Sequence, residues 1–167
     1  AIGQAYRDIE YYKKEIPKIF LYNQVLCLSD LTEARHGTIS SSWERYGTWK
    51  GIESESDAPK GATELEVLAR GLFNKARLLD VIQNFTVFEA DGDGDAVTYT
   101  KKTALYHQYY GVNKTIDSTV RSVEGKQERK IGVFWHTQGS GKSLSMVFYV
   151  NKTKRIPVLK SPAYVFL

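Results

Sequence analysis

The sequence predicts an α/β chain whose second half opens a parallel-sheet domain. Three observations point there. An apolar run, Ile131 to Trp135, leads into a short glycine-bearing turn ending in Gly141-Lys142-Ser143. An apolar segment of helical character, Leu144 to Tyr149, follows at once. A long helical stripe precedes the run and a second apolar run, Ala163 to Leu167, comes after it. Helix, strand, loop, helix, strand is the opening of a parallel α/β nucleotide-binding unit.

The bulk numbers permit this. The chain has 167 residues, room for one domain or two small pieces, with 42% apolar content. The net charge of +4 allows contact with nucleic acid without demanding it. A single cysteine, Cys27, excludes an internal disulfide and fits a reducing cytoplasm. No apolar run approaches the ~20 residues a membrane helix needs, so no membrane partner is expected. The chain starts at Ala1 and stops inside an apolar run, which reads as a piece of something longer.

Taken in order, residues 4–15 carry Ala5, Ile9 and Tyr12 at helical spacing and are closed by Pro17. Tyr12 thereby falls on the core side. Residues 19–29 read as a strand, and the run Val25 to Leu28 predicts cover on both faces. Residues 33–40 read as its return strand. Trp43, Arg45, Trp49 and Lys50 then place rings and cations close together, as a base-stacking, phosphate-holding surface would, or as a satellite core under a loop would. Residues 52–62 are polar and read as a loop. Thr63 and Glu66 form a capping-box signal ahead of Leu65, Leu68 and Leu72, with Gly71 weakening that helix. A second helix runs from about Lys75 to Gln83, and Phe85 to Glu89 is a short strand. The acidic turn Asp91 to Asp95 lacks the glycine and glutamate of an EF-hand loop and reads as an exposed boundary, dividing the chain into 1–92 and 93–167. Residues 102–123 read as one long helix carrying Leu105, Tyr109, Val112, Ile116, Val120 and Val123, with Gly111 a blemish. Glu124 to Lys130 is a solvated connection, and the last helix spans about 142–153.

The turn itself has the chemistry of a phosphate loop. Gly139 and Gly141 lack a Cβ, so the backbone can curl with its amides inward. Those amides, with the next helix's N-terminus, make a nest for phosphate oxygens. Lys142 would reach the β- and γ-phosphates, and Ser143 would hold magnesium. His136 stands where the strict pattern has its first glycine, leaving the shorter G-x-G-K-S. An ordinary glycine turn with a surface lysine is the bland alternative.

Several stretches together resemble one family. They are Asn23 to Asp30, Glu33-Ala34-Arg35, Trp43-Glu44-Arg45 with Trp49-Lys50, Arg70 to Asp80, Tyr106-His107-Gln108-Tyr109, and Trp135 to Ser143. In this order they resemble the R (motor and endonuclease) subunit of type I restriction enzymes over nearly the whole chain. The resemblance implies the end of a restriction-nuclease-like domain over 1–92, then the start of a parallel-sheet RecA-like P-loop domain over 93–167. It implies a cytoplasmic, ATP- and Mg2+-dependent enzyme that translocates and cuts double-stranded DNA in complex with modification and specificity subunits. Gly139, Ser140, Gly141, Lys142 and Ser143 would be the ATP site. Gln108 would read adenine, because an amide donates and accepts at once; spacing alone makes Gln108 a helix-surface residue. Tyr12 matches the tyrosine of the family's Gln-x-x-x-Tyr pair, but Asp8 replaces the glutamine and cannot donate as an amide does. With Trp43, Arg45, Trp49 and Lys50, Tyr12 forms the candidate DNA-contact set. The nuclease acids would precede Ala1 and the Walker B acids would follow Leu167, so no catalytic residue is assigned within the chain and the piece alone is expected to be inactive. The alternatives are another P-loop NTPase such as a kinase or GTPase, or a non-enzymatic DNA- or subunit-docking segment.

Overall fold

The structure, a computed structural model, describes residues 1–30, 32–92, 96–128 and 130–165. Leu31, the centre of the acidic turn (Asp93 to Asp95), Arg129 of the solvated connection, and Phe166 and Leu167 of the last apolar run lie outside the described residues. The chain divides into two compact units, Ala1–Tyr106 and His107–Leu167.

The first unit opens with α1 (Ile2–Glu15), which carries Lys13 and Lys14 in its last turn, where cations suit the helix dipole. Ile2 belongs to a core with Phe20, Leu26, Leu28 and Tyr46, and Ala5, Tyr6 and Ile9 pack against it. Tyr12, expected on the core side, is 43% exposed. A fourteen-residue helix is about 21 Å long, whereas the four-residue strand β1 (Leu26–Ser29) covers about 13 Å, so the last turn overhangs the core. The expected strand over 19–29 shrinks to β1. Pro17–Phe20 form a 3-10 turn, and the amides of Ile19, Leu21 and Asn23 are used in turn bonds rather than a ladder.

Strand β2 (Ala34–Gly37) pairs antiparallel with β1, Cys27 opposite His36. Leu26 and Leu28 are buried while Cys27 is exposed, so β1 is covered on one face, not two. His36 and Gly47 exchange both backbone hydrogen bonds, at 2.9 and 3.0 Å, extending the sheet by one bridge. Helix α2 (Glu64–Arg70) starts at Thr63, whose hydroxyl accepts from the Glu66 amide. Glu66 turns to Arg70 instead of completing the box, and Glu64 accepts from the Ala34 amide. Gly71 ends this helix, and Asn74 caps α3 (Lys75–Asn84) by accepting from two amides.

The expected long helix over 102–123 starts later. Strand β4 (Thr98–Thr103) claims Lys102 and Thr103 by pairing antiparallel with β3 (Thr86–Asp91). This hairpin spans the acidic turn and is fastened into the first unit. The Thr38 hydroxyl donates to the Lys101 carbonyl at 2.6 Å. His36 Nε2 lies 3.2 Å from the Ala104 carbonyl. The buried Lys101 amine, its pKa lowered by desolvation, donates to Asn23 O and Gln24 Oε1. The compact units therefore divide after Tyr106 rather than at the acidic turn.

In the second unit, α4 (Tyr106–Val123) buries Gln108, Tyr109, Val112 and Ile116, and α5 (Lys142–Thr153) buries Ser145, Phe148 and Thr153. Thr119 Oγ1 meets Tyr149 Oη at 2.9 Å, and Lys152 donates to Asn113 at 2.7 Å, joining the two helices. Gly111 is no blemish: a Cβ there would stand 2.6 Å from the Phe134 ring. The expected strands at 131–135 and 163–165 are irregular, and both sheets among the described residues are two-stranded and antiparallel. A parallel strand needs covered neighbours. Here Val133 is 91% and Trp135 81% exposed, with no ladder beside them.

Candidate nucleotide-binding site

The loop from His136 to Gly141 lies between an extended segment and the first turn of α5. Gly139 and Gly141 both take left-handed conformations, φ +81° and +79°. L-residues with a Cβ resist that region, so these two glycines set the curl. Gly141 is the N-cap of α5 and has no side-chain cap; its carbonyl accepts from the Ser145 amide. Among the described residues the amides of Gly139, Gly141, Lys142 and Ser143 take no hydrogen bond. The Ser140 hydroxyl is buried and likewise has no partner. Donors without acceptors at a helix N-terminus are what an anion satisfies. This donor set fits a phosphate chain.

Lys142 is half-buried and donates to the carbonyls of His136 at 2.9 Å and Thr137 at 3.0 Å. Its ammonium is held by two neutral oxygens, not by a carboxylate, so an anionic ligand can compete for it. The stem of Lys142 also walls an apolar cavity of about 190 Å³ with Val112, Phe134, Met146 and Tyr149. That cavity is too apolar for a triphosphate. Ser143 is exposed at the second position of α5, where its hydroxyl can meet a cation held on phosphate oxygens.

Gln108 is not on the helix surface. It is 3% exposed, and its Nε2 donates to the Gly141 carbonyl at 3.0 Å. Spacing misplaced it because the loop folds back over the first turn of α4. Its neighbour His107 was missed altogether. His107 Nε2 stands 3.1 Å from the Ser140 carbonyl, and its ring lies 5.1 Å from that of His136, which in turn lies 4.9 Å from Phe134. Successive helical residues point about 100° apart, so periodicity puts His107 and Gln108 on different faces. Its place in the resembling stretch Tyr106-His107-Gln108-Tyr109, beside Gln108, is the sequence signal that could have found it.

The candidate DNA-contact set is only partly available. Trp49 is 1% exposed, with its ring edge-on to His36, so it cannot stack on a base. Two distant segments close over it, which the local pattern does not report. Trp43 is half-buried, beside Tyr6 and under the Arg35 guanidinium at 4.7 Å. Arg45 and Lys50 are exposed, Lys50 near the Tyr106 ring at 5.5 Å. Tyr12 is exposed beside Tyr11. One turn before it, the Asp8 carboxylate accepts from Gln4 at 2.7 Å, and Gln4 also accepts from Arg7. Among the described residues no acidic or histidine cluster can hold a metal; Asp93 and Asp95 are outside that set. No helix among them is long and apolar enough to cross a membrane.

Comparison with known proteins adds the following. The profile of the SWI2/SNF2 ATPase family matches residues 107–167, starting where the second compact unit starts. The type I restriction enzyme HindI endonuclease subunit of Haemophilus influenzae is 44% identical over 97% of this chain and 15% of its own length. The putative type I restriction enzyme MjaIXP endonuclease subunit of Methanocaldococcus jannaschii is 34% identical over 98% of this chain and 17% of its own. A second protein of that organism, the putative MjaVIIIP endonuclease subunit, is 27% identical over 87% of the chain and 13% of its own length. The chain thus spans about a sixth of the curated relatives it matches.

Proposed function

We propose, for a chain homologous over nearly all its length to type I restriction enzyme endonuclease subunits, that it is the nucleotide-gripping part of an ATP-driven DNA motor and endonuclease subunit. Residues 1–92 would be the end of the nuclease domain and residues 93–167 the start of the RecA-like lobe, with the compact units dividing further along, after Tyr106. The whole subunit would work on double-stranded DNA in the cytoplasm, together with modification and specificity subunits.

The observation that carries the reading is the pairing of two left-handed glycines with the unpartnered amides of Gly139, Gly141, Lys142 and Ser143. The Gly139, Gly141, Lys142 and Ser143 amides receive phosphate oxygens, while the Ser140 amide stays on the Thr137 carbonyl. Lys142 leaves the His136 and Thr137 carbonyls for the β- and γ-phosphates. Ser143 offers its hydroxyl to Mg2+, which when bound neutralises charge on the phosphates. Gln108, buried with its Nε2 on the Gly141 carbonyl, fixes the loop from below, and would turn its amide to the adenine edge only on nucleotide binding.

The test is titration of labelled ATP·Mg2+ against the chain and its Lys142→Ala variant, with GTP as competitor. A hydrogen bond to a charged group is worth about 1.5–3 kcal/mol, so ATP affinity should fall about 10- to 150-fold, and ATP-dependent translocation and cleavage by the whole subunit should be lost. Equal ATP affinity or normal ATPase in the variant defeats the proposal, and preference for GTP moves the chain to another class of P-loop NTPase.

A further inference from the structure

Two consecutive side chains of α4 hold two consecutive carbonyls of the loop. His107 Nε2 is on Ser140 O at 3.1 Å, and Gln108 Nε2 is on Gly141 O at 3.0 Å. Each carbonyl shares a planar peptide with the next residue's amide, and no peptide here is cis. In a trans peptide the C=O and N–H point in opposite directions. Drawing the Ser140 and Gly141 carbonyls toward α4 therefore turns the Gly141 and Lys142 amides away from it, and both of those amides lack a hydrogen bond among the described residues. They are two of the donors that the proposed phosphate grip needs.

We infer that His107 is a positioning residue of the phosphate loop, which aims the Gly141 amide at a bound phosphate by donating Nε2–H to the Ser140 carbonyl. This rests on the reading of Gly139 to Ser143 as a phosphate grip. The ring of His107 also leans on His136, whose carbonyl holds Lys142, so the same side chain borders both ends of the loop. Preorganised amides cost no reordering when the ligand arrives. A loop without the His107 bond has to order that peptide on binding.

The test separates the hydrogen bond from the ring. His107→Phe keeps an aromatic ring against His136 and removes the donor; His107→Gln restores an amide N–H at a similar reach. Affinities of the full chain for ATP and for inorganic pyrophosphate are measured, with adenosine as the control that lacks phosphate. Losing one neutral hydrogen bond corresponds to about 3- to 10-fold weaker binding. His107→Phe is expected to lose that factor for ATP and pyrophosphate, with adenosine unchanged, and His107→Gln to regain most of it. In ligand-free protein, the Gly141 amide resonance is expected to move in His107→Phe and to return toward its place in His107→Gln. Unchanged pyrophosphate affinity in His107→Phe overturns the inference and leaves the phosphate grip standing. So does an unmoved Gly141 resonance, even if His107→Phe is poorly folded for binding studies. If the unaltered chain binds neither ATP nor pyrophosphate, the phosphate grip itself fails and takes this inference with it.

Discussion

Replacing Gly141 by alanine should destabilise the second unit more than replacing Gly139, although their backbones are nearly alike. Both sit near φ +80°. An L-residue pays about 1–2 kcal/mol there, and alanine recovers about 0.4–1 kcal/mol by restricting the unfolded chain. These two effects are common to both sites and leave a net penalty of about 1 kcal/mol for Gly139→Ala, whose new Cβ meets nothing within 4 Å. The new Cβ in Gly141→Ala lies 2.6 Å from Gln108 Nε2. Gln108 is buried and cannot swing into water, so it must surrender its bond to the Gly141 carbonyl. A buried donor losing its partner costs about 1–3 kcal/mol. That is the expected difference between the two variants. Native-state hydrogen exchange at the buried Phe148 amide of α5 reads the opening free energy of this unit. In a double-mutant cycle, Gln108→Ala should bring the Gly141→Ala penalty down to the Gly139→Ala value. Equal penalties at the two glycines, or a cycle with no coupling, refute the packing of Gln108 beneath the loop.

Two further outcomes follow from the first unit and the exposed segment. Burial holds the His36 pKa below its usual value, so the unfolded chain binds that proton more readily than the native one. Stability should therefore fall as pH drops through about 6.5, and the acid limb of a urea-denaturation series should be shallower in His36→Gln; an identical limb counts against a buried neutral imidazole. Among the three tryptophans, acrylamide should quench Trp135 first, and Trp135→Phe should remove most of the accessible emission, while Trp49→Ala costs about 3–5 kcal/mol in denaturant; strong quenching that survives Trp135→Phe and Trp43→Phe together contradicts the burial of Trp49.

The features legible in sequence share one property. Thr63 starts its helix through an amide three residues away. Gly139 and Gly141 bend the chain at their own φ, and Lys142 starts α5 beside them. The hairpin of β1 and β2 likewise joins neighbours in the chain.

What sequence pattern misassigned depended on distant partners. Val25 to Leu28 looked doubly buried, but Cys27 is exposed. Lys102 and Thr103 fall within the span read as the long helix, yet β3 claimed them and carried the hairpin into the first unit. Trp49 looked like a stacking surface until His36 and the rest of the core closed over it. The resemblance pointed to Gln108, while His107 carried no pattern, because the loop that meets both lies about thirty residues further along.

By itself, then, the order of residues determined where the chain curls at Gly139 and Gly141, where α2 and α5 begin, and which relatives it has. Tertiary structure alone decided what Gln108 and His107 hold and which aromatic rings remain in water. The first set is fixed by interactions within one helical turn, which the local sequence contains. The second depends on which remote segments exclude solvent from a given side chain, and that is settled only when those segments meet.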